Sequence, residues 1–262
     1  MKRLGKLFVV TEENVDKIIE SMGMWIRELA DGHGLILGLS GGVDSAVVAR
    51  LVQEAGVDLK VLMLPEGEAG MNHDSYRDAV KLADLFGMNY ETIDIAPICE
   101  AMKLPAGHPS TRIATVMNRV LARMNIAPRV RTGMLYQVGQ LESRRVIGTD
   151  NLDEQVTGYF TKFGDGAYDF NPLTYCTKNE VYILARALDV IDEIIKKPPS
   201  AGLFGGQTDE GELGIRYTDL DKWILDGTSG DRQIDAKIQA RYDSTAHKRC
   251  MPYAYTGIGI NA

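Results

Sequence analysis

Ser40-Gly41-Gly42-Val43-Asp44-Ser45 gathers two glycines, two hydroxyls and one carboxylate directly after an apolar run, Gly34 to Leu39. Glycines let the backbone approach an anion closely. The amides of a turn that opens a helix point partial positive charge at that anion. Ser40 and Ser45 add hydroxyl donors. Asp44 by itself would repel a phosphate, so its presence implies a bridging cation such as magnesium. No lysine completes a Gly-x-x-x-x-Gly-Lys-Ser/Thr loop, which counts against γ-phosphate transfer. The bland alternative is a glycine turn in which Asp44 and Ser45 only cap a helix. Six residues matched in a strand–loop–helix setting favour the phosphate site.

Further candidates lie downstream, and each has a structural competitor. Glu154 follows the apolar triplet Val146-Ile147-Gly148 and would suit the first turn of a helix. Arg129 and Arg131 would suit a solvated helix face. Lys162 and Asp165, three apart in a glycine-rich segment, would suit an exposed pair worth little. His247 would suit a surface position.

These residues need elements to hold them. Val15, Ile18, Ile19, Met22, Ile26 and Leu29 recur at helical spacing and predict a helix over about 11–30. Gly34 to Leu39 reads as a buried strand, and Asp44 and Ser45 open a helix through Leu51. Val61 to Leu64 and Tyr90 to Ile95 read as strands on either side of a helix over Tyr76 to Phe86. Thr111 to Leu141 reads as helical with a break near Pro128, which cannot donate an internal helix bond. Val146 to Gly148 is a further strand. The segment Gly202 to Gly211 reads as a loop or lid, and short helices near Asp219 to Leu225 and Asp231 to Arg241 follow it. Strands alternating with helices predict an α/β fold, a mostly parallel sheet covered on both faces, with ligands at the carboxyl ends of the strands.

The 262 residues suit one α/β domain, spanning 1–262 without a flexible linker. Lys and Arg number 29 against 36 Asp and Glu, a net charge of -7, which argues against a nucleic-acid partner. Cys99, Cys176 and Cys250 are far apart and form no CxxC pair, so reduced thiols in a cytoplasmic protein are expected. No apolar run approaches the ~20 residues of a membrane span, and the N-terminus does not read as a signal peptide.

The glycine loop resembles the pyrophosphate-binding loop of the N-type ATP pyrophosphatases, related to the adenine nucleotide alpha hydrolases. Separate stretches in register narrow the resemblance to the NAD synthetases. They are Val146-Ile147-Gly148-Thr149-Asp150-Asn151, Thr157-Gly158-Tyr159-Phe160-Thr161-Lys162-Phe163-Gly164-Asp165-Gly166, Pro172-Leu173, Thr177-Lys178, Gln207-Thr208-Asp209-Glu210 with Glu212-Leu213-Gly214, and His247-Lys248-Arg249. The resemblance implies a Rossmann-like, doubly wound fold and ammonia-dependent, ATP-consuming amidation of deamido-NAD to NAD. It implies that Gly38, Leu39, Ser40, Gly41, Gly42, Val43, Asp44 and Ser45 hold the ATP phosphates, with Thr149, Lys178 and Ser200 also touching ATP. Asp44 and Glu154 would share Mg2+. Arg129, Lys162, Asp169, His247 and Lys248 would contact deamido-NAD. Ser200 stands where the family often has threonine. Pro128 stands where alanine is usual, which predicts a local bend that displaces Arg129. A homodimer is implied as well.

The chemistry assigns further roles. A carboxylate becomes an acceptor for ammonia only after AMP is transferred to it, with release of pyrophosphate. Asp44 and Lys178 would serve that step, and Asp165 would bind ammonium and accept its proton. The domain leaves no room for a glutaminase. A GMP synthetase-like pyrophosphatase and a non-catalytic adenine-nucleotide sensor are the alternatives. Lys162-Phe163-Gly164-Asp165 counts against the first, and the Asp44 and Glu154 pair counts against the second.

Overall fold

A computed structural model describes residues 8–198 and 209–250. Ser200, Gln207 and Thr208, and most of the expected lid, lie outside the described residues. In chain order the elements are α1 (Val15–Ala30), β1 (Gly34–Gly38), α2 (Val43–Glu54), β2 (Leu59–Met63), α3 (Gly67–Met71), α4 (Asp74–Leu85) and β3 (Asn89–Thr92). Then come α5 (Ala96–Ala101), α6 (Pro109–Ile113), α7 (Val116–Met124), α8 (Ile126–Leu141), β4 (Arg144–Val146), α9 (Leu152–Thr157) and α10 (Lys178–Ala187). Helices α11 (Asp192–Ile195), α12 (Asp209–Leu213), α13 (Tyr217–Asp226) and α14 (Arg232–Ser244) precede a 3-10 turn, Ala246–Lys248.

The sheet runs in the order β3-β2-β1-β4, with every pairing parallel. Alternation along the strands sorts their side chains. Leu35 and Leu37 of β1, with Val61 and Met63 of β2, enter a core shared with α1, α2, α4 and α10. Ile36, Leu62 and Val146 point the other way, against Ile95, Cys99, Ala127 and Val130 of the α5–α8 side. Both faces are therefore covered, as the apolar run of β1 requires. The expected doubly wound fold is present. No helix among the described residues is long and apolar enough to cross a membrane.

The strand order reverses between β1 and β4. At that switch point the loops after the two strands part and leave a crevice. The loop Leu39 to Gly42 follows β1, and Ile147 to Asn151 follow β4. A third core of Leu152, Val156, Leu213, Ile215, Leu220, Trp223, Ile224 and Ile238 packs α9 against α12, α13 and α14 beyond the sheet.

Some expectations are corrected. Helix α1 begins at Val15 rather than residue 11, and β4 is Arg144–Val146 rather than Val146 to Gly148. The helical stretch before β4 is three helices, broken at Ala114 to Thr115 and at Asn125, not at Pro128. Pro128 is the third residue of α8, where an amide has no intrahelical partner to lose, so it begins the helix without bending it. Arg129 follows as the fourth residue of the same helix.

Candidate functional site at the sheet switch point

Gly41 holds the glycine loop closed. Its φ is +77°, and a Cβ there would meet the carbonyl oxygen of Ser75 at 1.9 Å, so a side chain is excluded by both backbone and space. The two serines brace the turn from inside. Ser45 Oγ lies 3.0 Å from Ser40 Oγ and donates to Gly42 O at 3.1 Å, while Gly42 N donates to Ser40 Oγ at 3.2 Å. Helix α2 starts after Gly42 with no side-chain cap. Its first-turn amides therefore remain available to an anion, and its dipole favours one.

Asp44, in that first turn, is held by two residues from elsewhere in the chain. Lys178 Nζ donates to Asp44 Oδ2 at 2.5 Å, and Asn151 Nδ2 donates to Asp44 Oδ1 at 2.9 Å. Asn151 is the cap of α9 and Lys178 the first residue of α10, so three helix N-termini converge on one carboxylate. Lys178 is 3% exposed. Burial opposes its charge, but the carboxylates of Asp44 and Glu154 outweigh burial and hold its pKa above the usual lysine value.

Glu154 is fixed by a capping box: Asn151 Oδ1 accepts from Glu154 N at 3.0 Å, and Glu154 Oε2 accepts from Asn151 N at 3.0 Å. Burial and the nearby Asp44 charge push Glu154 up to about 8. Asp150, 3% exposed, accepts from Gln155 Nε2 at 3.2 Å. Burial, then the charges of Glu154, Asp165 and Asp44, push its pKa well above the usual range. Asp165 is exposed to solvent. Desolvation raises its pKa, although its Oδ1 accepts from Thr161 N at 3.0 Å.

The fit of a magnesium ion can be judged from these donors. No group of three or more His, Cys, Asp or Glu among the described residues is arranged to hold a metal by protein alone. Asp44 and Glu154 instead offer hard carboxylate oxygens beside a phosphate loop, and their mutual repulsion would be relieved by a divalent cation. Magnesium is commonly held by one or two carboxylates together with substrate phosphates, so the residues fit.

The basic residues form a second group. Lys162 Nζ donates to the carbonyl oxygen of His247 at 2.5 Å, and Lys248 Nζ donates to Gly158 O at 2.7 Å and Phe160 O at 2.6 Å. Lys248 has a lowered pKa, through burial first, with Arg241, Arg129 and Arg249 adding to it while Asp165 opposes. Lys162 is thus tied to the His247 backbone, and Lys248 lies near Arg129 and Asp165. Asp169 does not join this group by any contact described. It accepts from Val146 N at 2.8 Å and from the Tyr136 hydroxyl at 3.3 Å. The supposed Lys162–Asp165 pair is not formed, because each has the other partners just named. Arg131 is no solvated residue either, since its Nε donates to Leu64 O at 3.0 Å. Thr149 lies between β4 and α9, beside Asp150.

Sequence reasoning assigned no part to Asn151, Asp150, Asp153 or Asp221. For Asn151 a signal existed: Asn151-x-x-Glu154 has capping-box spacing, as does Thr177-x-x-Glu180 ahead of α10. The pairing of Asp44 with Lys178 spans 134 residues and had no local signal.

A family profile described as NAD synthase matches residues 15–252. An NH(3)-dependent NAD(+) synthetase of Archaeoglobus fulgidus is 38% identical over 246 residues, covering 91% of this chain and 96% of that protein. Among solved structures, an NMN synthetase from Francisella tularensis is 36% identical with a TM-score of 0.80, covering 93% of this chain and 98% of that one. An NH3-dependent NAD synthetase from Campylobacter jejuni is 30% identical with a TM-score of 0.72, covering 92% and 98%. With the match spanning nearly all of the sequence, glycine loop, capped helices and basic residues included, the chain belongs to the NAD synthase family.

Proposed function

We propose that the protein is an ammonia-dependent NAD synthetase, which amidates deamido-NAD through an adenylate and releases AMP and pyrophosphate. The observation that carries this reading is the convergence of Asp44, Asn151, Glu154 and Lys178 on the anion loop at the switch point of a NAD synthase chain.

In the first step a carboxylate oxygen of the pyridine ring attacks the α phosphorus of ATP, and the bond from that phosphorus to the bridging oxygen breaks. Both partners are anions, so the work is positioning and charge neutralisation. The amides of Gly41 to Ser45 hold the leaving pyrophosphate, assisted by the Lys178 ammonium. Thr149 and Ser200 contribute contacts to ATP. Magnesium, held by Asp44 and Glu154 with phosphate oxygens, would supply charge neutralisation. Arg129, Lys162, His247 and Lys248, with Asp169, orient deamido-NAD.

In the second step ammonia attacks the acyl carbon and AMP leaves. Asp165 binds ammonium and takes up its proton, a role supported by its exposure to solvent and its nearness to Lys248. The assay that tests the whole reading measures pyrophosphate release from ATP and ammonium with deamido-NAD, XMP or no acceptor. Release that requires deamido-NAD and yields NAD supports it. Release with XMP, or nucleotide binding without release, overturns it.

A second substrate is favoured by one observation. The TM-score of 0.80 with a protein named NMN synthetase exceeds that of 0.72 with the Campylobacter NAD synthetase. The reacting carboxylate is the same in nicotinate mononucleotide, so kcat/KM measured with each acceptor separates the two.

The homodimer is supported by α6 and α7, which bury none of their residues. Val116, Met117, Val120 and Leu121 form an exposed apolar stripe at helical spacing on α7, and Ile113, at the end of α6, is 88% exposed. A second copy of the chain is the occupant proposed. Val116→Glu with Val120→Lys should convert the protein to monomers in sedimentation, and an unchanged dimer would place the interface elsewhere. The protein is assigned to the cytoplasm, in keeping with three free cysteines.

A further inference from the structure

Among the described residues, two buried side-chain oxygens lack an ordinary hydrogen-bond partner, Asp153 Oδ1 and Asp221 Oδ1. They belong to carboxyl groups that meet each other. Asp153 precedes Glu154 in α9 and is 0% exposed, while Asp221 lies in α13 and is 6% exposed. The two carboxyl groups are close enough for each to act on the other.

The outer oxygens of this pair hold α10. Asp153 Oδ2 accepts from the backbone N of Lys178 at 2.7 Å, and Asp221 Oδ2 accepts from Asn179 Nδ2. One helical turn before Asp221, on the same face of α13, the ring of Tyr217 lies 5.6 Å from Lys178 Nζ. Helix α13 thus meets the first turn of α10 at two points, one on the backbone side of Lys178 and one on its ammonium.

We infer that Asp221 is a positioning residue for the adenylation step: through its bond from Asn179, beside the Asp153 carboxylate that holds the backbone N of Lys178, it fixes the first turn of α10, so that Lys178 reaches the pyrophosphate loop. This rests on the proposed NAD synthetase reading. It adds a residue from α13 that touches neither substrate and acts through Lys178. Removing such an outer partner typically costs about tenfold or more in the function of the group it orients.

The test uses the full-length chain and ATP–pyrophosphate exchange with deamido-NAD. Asp221→Ala should lower kcat about tenfold with the KM for both substrates little changed. Asp221→Asn, whose amide can donate to Asp153 and whose carbonyl can accept from Asn179, should restore most of kcat. In a Lys178→Ala background Asp221→Ala should cost little more, because both act at one point. Asn179 is exposed, so Asn179→Ala keeps the fold even if Asp221→Ala does not, and it should lower kcat in the same direction with little change in Tm. Full kcat in folded Asp221→Ala or in Asn179→Ala would overturn the inference, as would an Asp221→Asn protein of normal Tm that loses as much as the alanine variant. An additive loss in the Lys178→Ala background also overturns it. Failure of the underlying function has a different signature: wild-type protein would show no exchange with deamido-NAD.

Discussion

Lys178 Nζ sits 2.5 Å from Asp44 Oδ2, so the cation that heads α10 neutralises the carboxylate that heads α2. The two side chains are 4% and 16% exposed. In the proposed reaction, magnesium held by Asp44 would take over this carboxylate and leave the Lys178 ammonium to the phosphates.

This pair can be tested for stability and activity separately. Lys178→Ala leaves Asp44 half-compensated, by Asn151 alone, and should cost about 3 kcal/mol in urea unfolding. Adding Asp44→Asn should recover part of that loss, because the stranded charge is gone. Activity will not recover. Asp44→Asn and Glu154→Gln should each lower kcat by about 10²-fold or more, and the double variant should be little worse than either. Wild-type turnover by Asp44→Asn at saturating magnesium would remove Asp44 from the mechanism.

Lys162→Ala and His247→Ala should raise the KM for deamido-NAD more than that for ATP. One charge-assisted contact is worth about 1.5–3 kcal/mol. The contact of Lys162 with the His247 carbonyl ties the two positions, so the double variant should be less than additive. Titrating each substrate at saturation of the other reads the outcome, and a defect confined to ATP places these residues on the wrong ligand.

Asp165→Asn should leave ATP–pyrophosphate exchange largely intact and slow amide formation. The amide still accepts from Thr161 N and keeps the turn, but it cannot take a proton from ammonium. Equal loss of exchange and amidation would move Asp165 to the first step. Use of glutamine as well as ammonium by the purified protein would contradict free ammonia as the nitrogen donor.

Tyr136 provides a pH prediction. Burial, then the charge of Asp169, push its phenol up to about 12 from 10.0. Between those values the folded state holds a proton that the unfolded chain has released. This contribution to stability is therefore complete below pH 10 and is lost as pH rises through 12. Unfolding measured across that range should fall less steeply in Tyr136→Phe than in wild type. Identical slopes would show that the phenol titrates alike in both states.

The sequence by itself determined the strand–loop–helix unit around Ser40 to Ser45, since glycine at a positive φ, an apolar strand and an uncapped helix start are local properties. It also determined the alternating α/β order and, through motifs in register, the family. Helix boundaries slipped where capping decides them. Pro128 reads as a breaker, yet it starts α8, because only the first turn has amides to spare. The tertiary structure alone decided who meets Asp44. Lys178 and Asn151 lie 134 and 107 residues away in sequence, and no spacing rule links them. They are joined because the sheet order β3-β2-β1-β4 opens its crevice between β1 and β4 and brings the helix starts that follow to one point. The facing of Asp153 and Asp221 was illegible for the same reason. Two ordinary acidic residues on separate helices become a buried, facing pair only once packing has removed water from between them.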